Sequence, residues 1–138
     1  MKQIGIWINK DKAFIIDNNR DTMITISSNI EHFHIHGGSG TRFKGGPQDV
    51  VQDSKYLERE KHQLRVYFKD IISHINNESH IIIFGPAEAG MMFLKALEKI
   101  NKTIYKNVLN IVKTDFMTPN QLKAWVRDFY KSKTENEV

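Results

Sequence analysis

His80-Ile81-Ile82-Ile83-Phe84-Gly85-Pro86 is the stretch that decides the fold. Its first five residues form a continuous apolar run of strand length. A strand that reads this way is central and covered on both faces, because an edge or one-sided strand would alternate with polar residues. Gly85-Pro86 then turns the chain. Upstream, a long helix is predicted from about Asp53 to Ile75, with Leu57, Leu64, Phe68, Ile71 and Ile75 spaced 7, 4, 3 and 4 apart along one apolar face. Downstream, a second helix is predicted over about residues 87–101, with Phe93, Leu94, Leu97 and Ile100 inward, followed by a strand from Val108 to Val112. The last helix has the clearest start. Thr118 as N-cap, Pro119 at the first helical position and Gln121 three residues after the cap make a capping box, and Met117 with Leu122 forms the hydrophobic staple. Leu122, Trp125, Val126 and Phe129 form its inward stripe.

The amino-terminal third reads differently. Ile4, Ile6 and Ile8 alternate with Gly5, Trp7 and Asn9, a period of two that marks a strand. Asp11-Lys12 turns into a second strand, Ala13 to Asp17, and Asp17 to Asp21 is a polar turn. A third strand starts at Thr22-Met23 and is expected to bend at Ser27-Ser28-Asn29 and run on to Ile35. The element order is therefore β-β-β-α-β-α-β-α. It predicts an α/β fold of ribonuclease H-like, three-layer architecture, with a mixed five-stranded sheet between helices. One domain is expected over residues 1–131, with 132–138 as a frayed polar tail.

The chain has 138 residues, no cysteine, 40% hydrophobic and 26% charged residues, the balance of one ordinary globular domain. Lack of cysteine excludes disulfides, thiolate metal sites and cysteine nucleophiles. No apolar stretch has the length of a membrane span, and the opening Met1 to Lys10 is too short an apolar run for a signal peptide, so a cytoplasmic protein without membrane contact is expected. The net charge is +4, and residues 37–69 hold seven bases against four acids, 7 − 4 = +3. Most of the excess thus sits in one segment, which favours a polyanionic partner there.

That segment opens with Gly37-Gly38-Ser39-Gly40-Thr41-Arg42-Phe43-Lys44-Gly45-Gly46-Pro47-Gln48, a loop holding five of the eight glycines. It lacks the spacing of a phosphate-binding or dinucleotide loop, so no nucleotide cofactor is implied, but Arg42 and Lys44 could grip phosphates beside glycine backbone. On the following helix, Lys55, Arg59, His62, Arg65 and Lys69 fall at spacings of 4, 3, 3 and 4, a basic stripe turned away from the apolar one. Loop and stripe together suggest contact with RNA; the competing reading is a solvated helix face with Glu58 and Glu60 as local partners. His32, His34 and His36 alternate on one face of the expected strand and could bind a metal ion, although same-face positions about 6.8 Å apart need a bent strand to converge on a tetrahedral ion. The first and fourth strands carry no carboxylate of the kind a two-metal nuclease requires. No serine or cysteine triad can be assembled.

Four segments carry a family resemblance. They are Gly5-Ile6-Trp7-Ile8-Asn9, the approach His32 to His36 into the glycine loop, Ile81 to Ala89, and Met117 to Gln121. Together they resemble the translational-machinery-component superfamily, which includes the middle domain of archaeal and eukaryotic class-1 peptide-chain release factors, the matching domain of Pelota, and small bacterial stand-alone relatives. The resemblance implies a ribosome or a structured RNA as partner, with Arg42, Lys44, Gly45, Gly46 and the helix stripe making contact. In release factors a Gly-Gly-Gln tip helps water cleave the peptidyl-tRNA ester; here Gly45-Gly46-Pro47-Gln48 sets a proline between the glycines and Gln48. The leading expectation is therefore a stand-alone, non-catalytic binding module without cofactor. A peptidyl-tRNA ester hydrolase using Gln48 is the alternative, a metal-binding interaction module using His32, His34 and His36 is a third, and a homodimer stays open.

Overall fold

The computed structural model describes residues 1–30, 47–86 and 88–137, with side chains described for 1–30, 57–86 and 88–133. Strands β1 (Lys2–Ile8), β2 (Lys12–Asp17) and β3 (Thr22–Ser27) precede helix α1 (Pro47–Ser73). Then come β4 (Ser79–Gly85), α2 (Ala89–Ile100), a short α3 (Lys102–Lys106), β5 (Val108–Lys113) and α4 (Pro119–Glu137). The five strands form one sheet in the order β3-β2-β1-β4-β5. β1 pairs antiparallel with β2, with Ile6 opposite Ile15, and parallel with β4, with Ile6 opposite Ile83. The sheet is mixed and helices cover both faces, as the element order requires.

Strand alternation divides the core in two. Ile4, Ile6 and Ile8 of β1 and Ile81 and Ile83 of β4 face α1, α2 and α3, where Leu64, Phe68, Ile71, Phe93, Leu97 and Ile104 meet them. Trp7, Ile82 and Phe84 point the other way and pack under Leu122, Val126 and Tyr130 of α4. The unbroken apolar run of β4 is thus buried on both faces. Each fully buried Ile or Phe contributes about 1.5–3 kcal/mol, so neither layer can be lost cheaply.

Local chemistry fixes the connections. Asn9 Oδ1 accepts from the backbone N–H groups of Asp11 and Lys12 at 2.8 and 2.9 Å, closing the β1–β2 turn. Asp17 Oδ1 accepts from Asn19 and Arg20 in the next turn. Gly85 has φ +143°, and a β-carbon there would collide with the carbonyl oxygen of Ile8, so only glycine lets β4 end beside β1. The capping box at α4 is present: Thr118 Oγ1 accepts from Gln121 N–H at 3.3 Å, and Gln121 Oε1 accepts from Thr118 N–H at 2.9 Å. Tyr130 Oη lies 2.7 Å from the carbonyl of Ile4 and 2.9 Å from that of His80, tying α4 to two neighbouring strands.

Several boundaries differ from the sequence reading. α1 begins at Pro47, not near Asp53, because proline suits a first helical position as well as a loop. β3 ends at Ser27, and the continuation expected to Ile35 lies outside the described residues beyond Ile30. α3 was not expected; Asn101 creates it, its side chain accepting from Ile104 N–H at 3.1 Å. α4 continues to Glu137 through residues expected as tail, a stretch without glycine or proline to stop it. No helix among the described residues is long and apolar enough to cross a membrane.

Candidate nucleic-acid interface

The carboxyl ends of the parallel strands β1, β4 and β5 set the geometry of the candidate site. Tyr67 Oη donates to the carbonyl of Asn9 at 2.9 Å, which fixes the level of α1 against the end of β1. Burial pushes this phenol well above the usual tyrosine range, and the Asp11 carboxylate adds to the effect, so it stays a neutral donor. Because α1 runs opposite to β4, residues before Tyr67 extend toward and past this edge.

Burial along α1 shows where the support ends. Leu64, Tyr67, Phe68, Ile71 and Ile72 are buried, whereas no side chain from Leu57 to Gln63 is. Leu57 lies on the same helical line as Leu64 but is 58% exposed, which corrects its expected place in the buried stripe. Its spacing keeps it on the apolar face of the helix, but it is not buried there. The helix backbone continues ten residues further, from Leu57 back to Pro47, about 15 Å at 1.5 Å per residue. Ile100 is likewise 40% exposed at the end of α2, not inward.

The basic stripe lies where its spacing put it. Arg59, His62, Arg65 and Lys69 are all exposed, on the side of α1 opposite Leu64 and Ile71, and Lys61 is exposed on the flank. Lys55 belongs to the α1 backbone, and its side chain is outside the described residues. The acids on this stretch are Glu58, Glu60 and Asp70. Asp70 is engaged at the end of the helix, its carboxylate 3.8 Å and its carbonyl 2.8 Å from His74 Nδ1. Val66, 54% exposed, lies within the stripe.

The other expected residues fare as follows. Arg42, Lys44, Gly45, Gly46, His32, His34 and His36 lie outside the described residues. Gln48 is the second residue of α1 and not part of a loop; its side chain is also outside them. Among the described residues no group of three His, Asp or Glu side chains could hold a metal ion.

The same edge holds a residue the sequence reading passed over. Phe116, in the link between β5 and α4, is 68% exposed and lies on the buried Trp7 ring with centroids 5.2 Å apart. Trp7 Nε1–H in turn donates to the Asp115 carbonyl at 3.3 Å. Lys95 and Lys99 on α2 and Lys102 and Lys106 on α3 form two further i, i+4 pairs, legible in the sequence but far along the chain from the basic stripe. Compared with known protein families and with curated proteins, the chain matches no family model and no curated relative.

Proposed function

We propose that this protein is a cytoplasmic, ribosome- or RNA-contacting module, acting by binding and resembling the middle domain of release factors. One observation carries the reading. From Leu57 to Gln63, α1 stands clear of the core and keeps an exposed basic face that continues to Lys69, directly after the glycine-rich segment. A helix needs no such extension to cover this sheet, since Leu64 to Ile72 already does so. Exposed Arg and Lys on a projecting helix suit a phosphate backbone, which is gripped through charge and not through shape-matched pockets. The helical start at Pro47, which places Gln48 on a helix turn, favours binding over a water-positioning glutamine tip.

Ribosome co-sedimentation tests this. Wild-type protein is expected in the ribosomal pellet at low salt and to leave it as salt rises, while the Arg59→Gln, Arg65→Gln, Lys69→Gln triple variant stays in the supernatant throughout. Wild-type protein that remains soluble at low salt, indistinguishable from the triple variant, would overturn the proposal.

A further inference from the structure

The helical layer holds more positive charge beside α1 than on α1 itself. Residues 57–73 of α1 carry Arg59, Lys61, Arg65 and Lys69 against Glu58, Glu60 and Asp70, 4 − 3 = +1. Residues 89–106, which make α2 and α3, carry Lys95, Lys99, Lys102 and Lys106 against Glu98 alone, 4 − 1 = +3.

The fold turns these four lysines outward. Ala89, Phe93 and Leu97 are the buried positions of α2, so Lys95 and Lys99 fall away from the core and are exposed. Asn101 then ends one helix and starts the next: its N–H donates to the Leu97 carbonyl at 2.9 Å while its side chain caps α3. Ile104, 1% exposed, pins α3 to the core, and Lys102 and Lys106, two residues to either side of it, point to solvent. None of the four makes an ion pair with another described residue. Two bases of α4 differ in this respect, with Lys123 4.0 Å from Asp21 and Arg127 3.9 Å from Asp128. Phe68 of α1 meets Phe93 of α2 edge-on at 5.6 Å, so the two basic helices lie side by side in one layer.

We propose that Lys95, Lys99, Lys102 and Lys106 extend the α1 stripe into one binding face, and that its occupant is double-stranded RNA held by its phosphates. The inference rests on the RNA-contact role proposed above. Two basic helices packed at the usual 8–10 Å offer two lines of charge, which suits the two backbones that border a duplex groove. Unpaired bases would call for an aromatic platform, whereas of the described aromatic side chains on these three helices Tyr67, Phe68 and Phe93 are buried and Tyr105 is half-buried. Lysine, a flexible point charge, fits contact with phosphates and not the reading of base edges.

Binding of a labelled short RNA duplex, followed by anisotropy over a range of KCl concentrations, tests the assignment. Wild type is compared with the quadruple variant Lys95→Gln, Lys99→Gln, Lys102→Gln, Lys106→Gln and with the α1 triple variant, all checked for unchanged circular dichroism. The quadruple variant is expected to bind about tenfold or more weakly at low salt, with the slope of log K against log salt reduced by roughly 0.7–0.9 for each phosphate no longer neutralised. A quadruple variant with unchanged affinity and slope, beside a weakened triple variant, would end this proposal and leave the α1 reading standing. Failure of wild-type protein to bind both the duplex and ribosomes would remove both. Tighter binding of the single strand, or equal displacement by polyglutamate at matched charge, would overturn the assignment to duplex RNA.

Discussion

Gly5 lies beneath α4, and a β-carbon at that position would collide with Val126 Cγ2. Valine is branched at Cβ and stiff at χ1, so Val126 has no easy rotamer of escape. Gly5→Ala is therefore expected to destabilise the protein by about 1–3 kcal/mol, an overpacking penalty. Combining it with Val126→Ala should cost less than the two single changes added, because the second removes the atoms the first strikes. Urea titrations of the four proteins measure this, and strict additivity would show that the contact does not set the spacing between helix and sheet. A glycine between Ile4 and Ile6 is visible in the sequence as a small residue on one strand face. Its partner, 121 positions away, is not, since that pairing depends on how α4 crosses the sheet. Gly85 is more transparent, because Gly-Pro at the end of an apolar strand announces a sharp exit by itself.

At the scale of elements, α1 shows what periodicity can and cannot reveal. Spacing identifies the face of a helix that is apolar, but not how much of that face meets a neighbour. Leu57 and Phe68 occupy the same broad face, yet Leu57 is 58% exposed and Phe68 4%. Phe68→Ala is expected to cost about 3–5 kcal/mol, while Leu57→Ala should stay within roughly 0.5 kcal/mol of wild type. Thermal and urea unfolding of the two variants separates them; a Leu57→Ala loss of ordinary core size would mean that α1 is covered along this stretch and does not project. The outward position of Arg59, His62, Arg65 and Lys69 needed only the helical repeat, which is why that half of the candidate site was legible. The α4 start was legible for a similar reason: Thr118, Pro119 and Gln121 act within one turn. α3 was not, because a five-residue helix has too few positions to show a period, and Asn101 reads equally well as a simple stop. The relation of the α2 and α3 lysines to α1 runs through the Phe68–Phe93 contact, which no local pattern encodes.

For the molecule as a whole, the decisive feature is that two cores share one set of strands. Alternate residues of β1 and β4 feed opposite layers: Ile6 and Ile83 lie under α1 and α2, Trp7 and Phe84 under α4. Melting either layer exposes strands that the other needs, so the layers should unfold together. Both tryptophans report on the α4 side. Trp7 is 1% exposed in that core, and Trp125 stacks on Phe84 with centroids 4.1 Å apart at 10°. Far-UV circular dichroism follows mainly the other side, where α1 and α2 contribute 27 and 12 helical residues against 19 in α4. Tryptophan fluorescence and circular dichroism are accordingly expected to give the same midpoint and the same slope in urea. A fluorescence transition at lower urea, with most ellipticity retained, would mean that α4 leaves as a separate unit and that the sheet stands on one core alone. Coincidence would instead make the exposed stretch of α1 an extension braced by the whole fold, through Tyr67 on Asn9 and Phe68 on Phe93. A charged face held in that way would meet the proposed RNA without first having to be ordered, which would keep the entropic penalty of binding small.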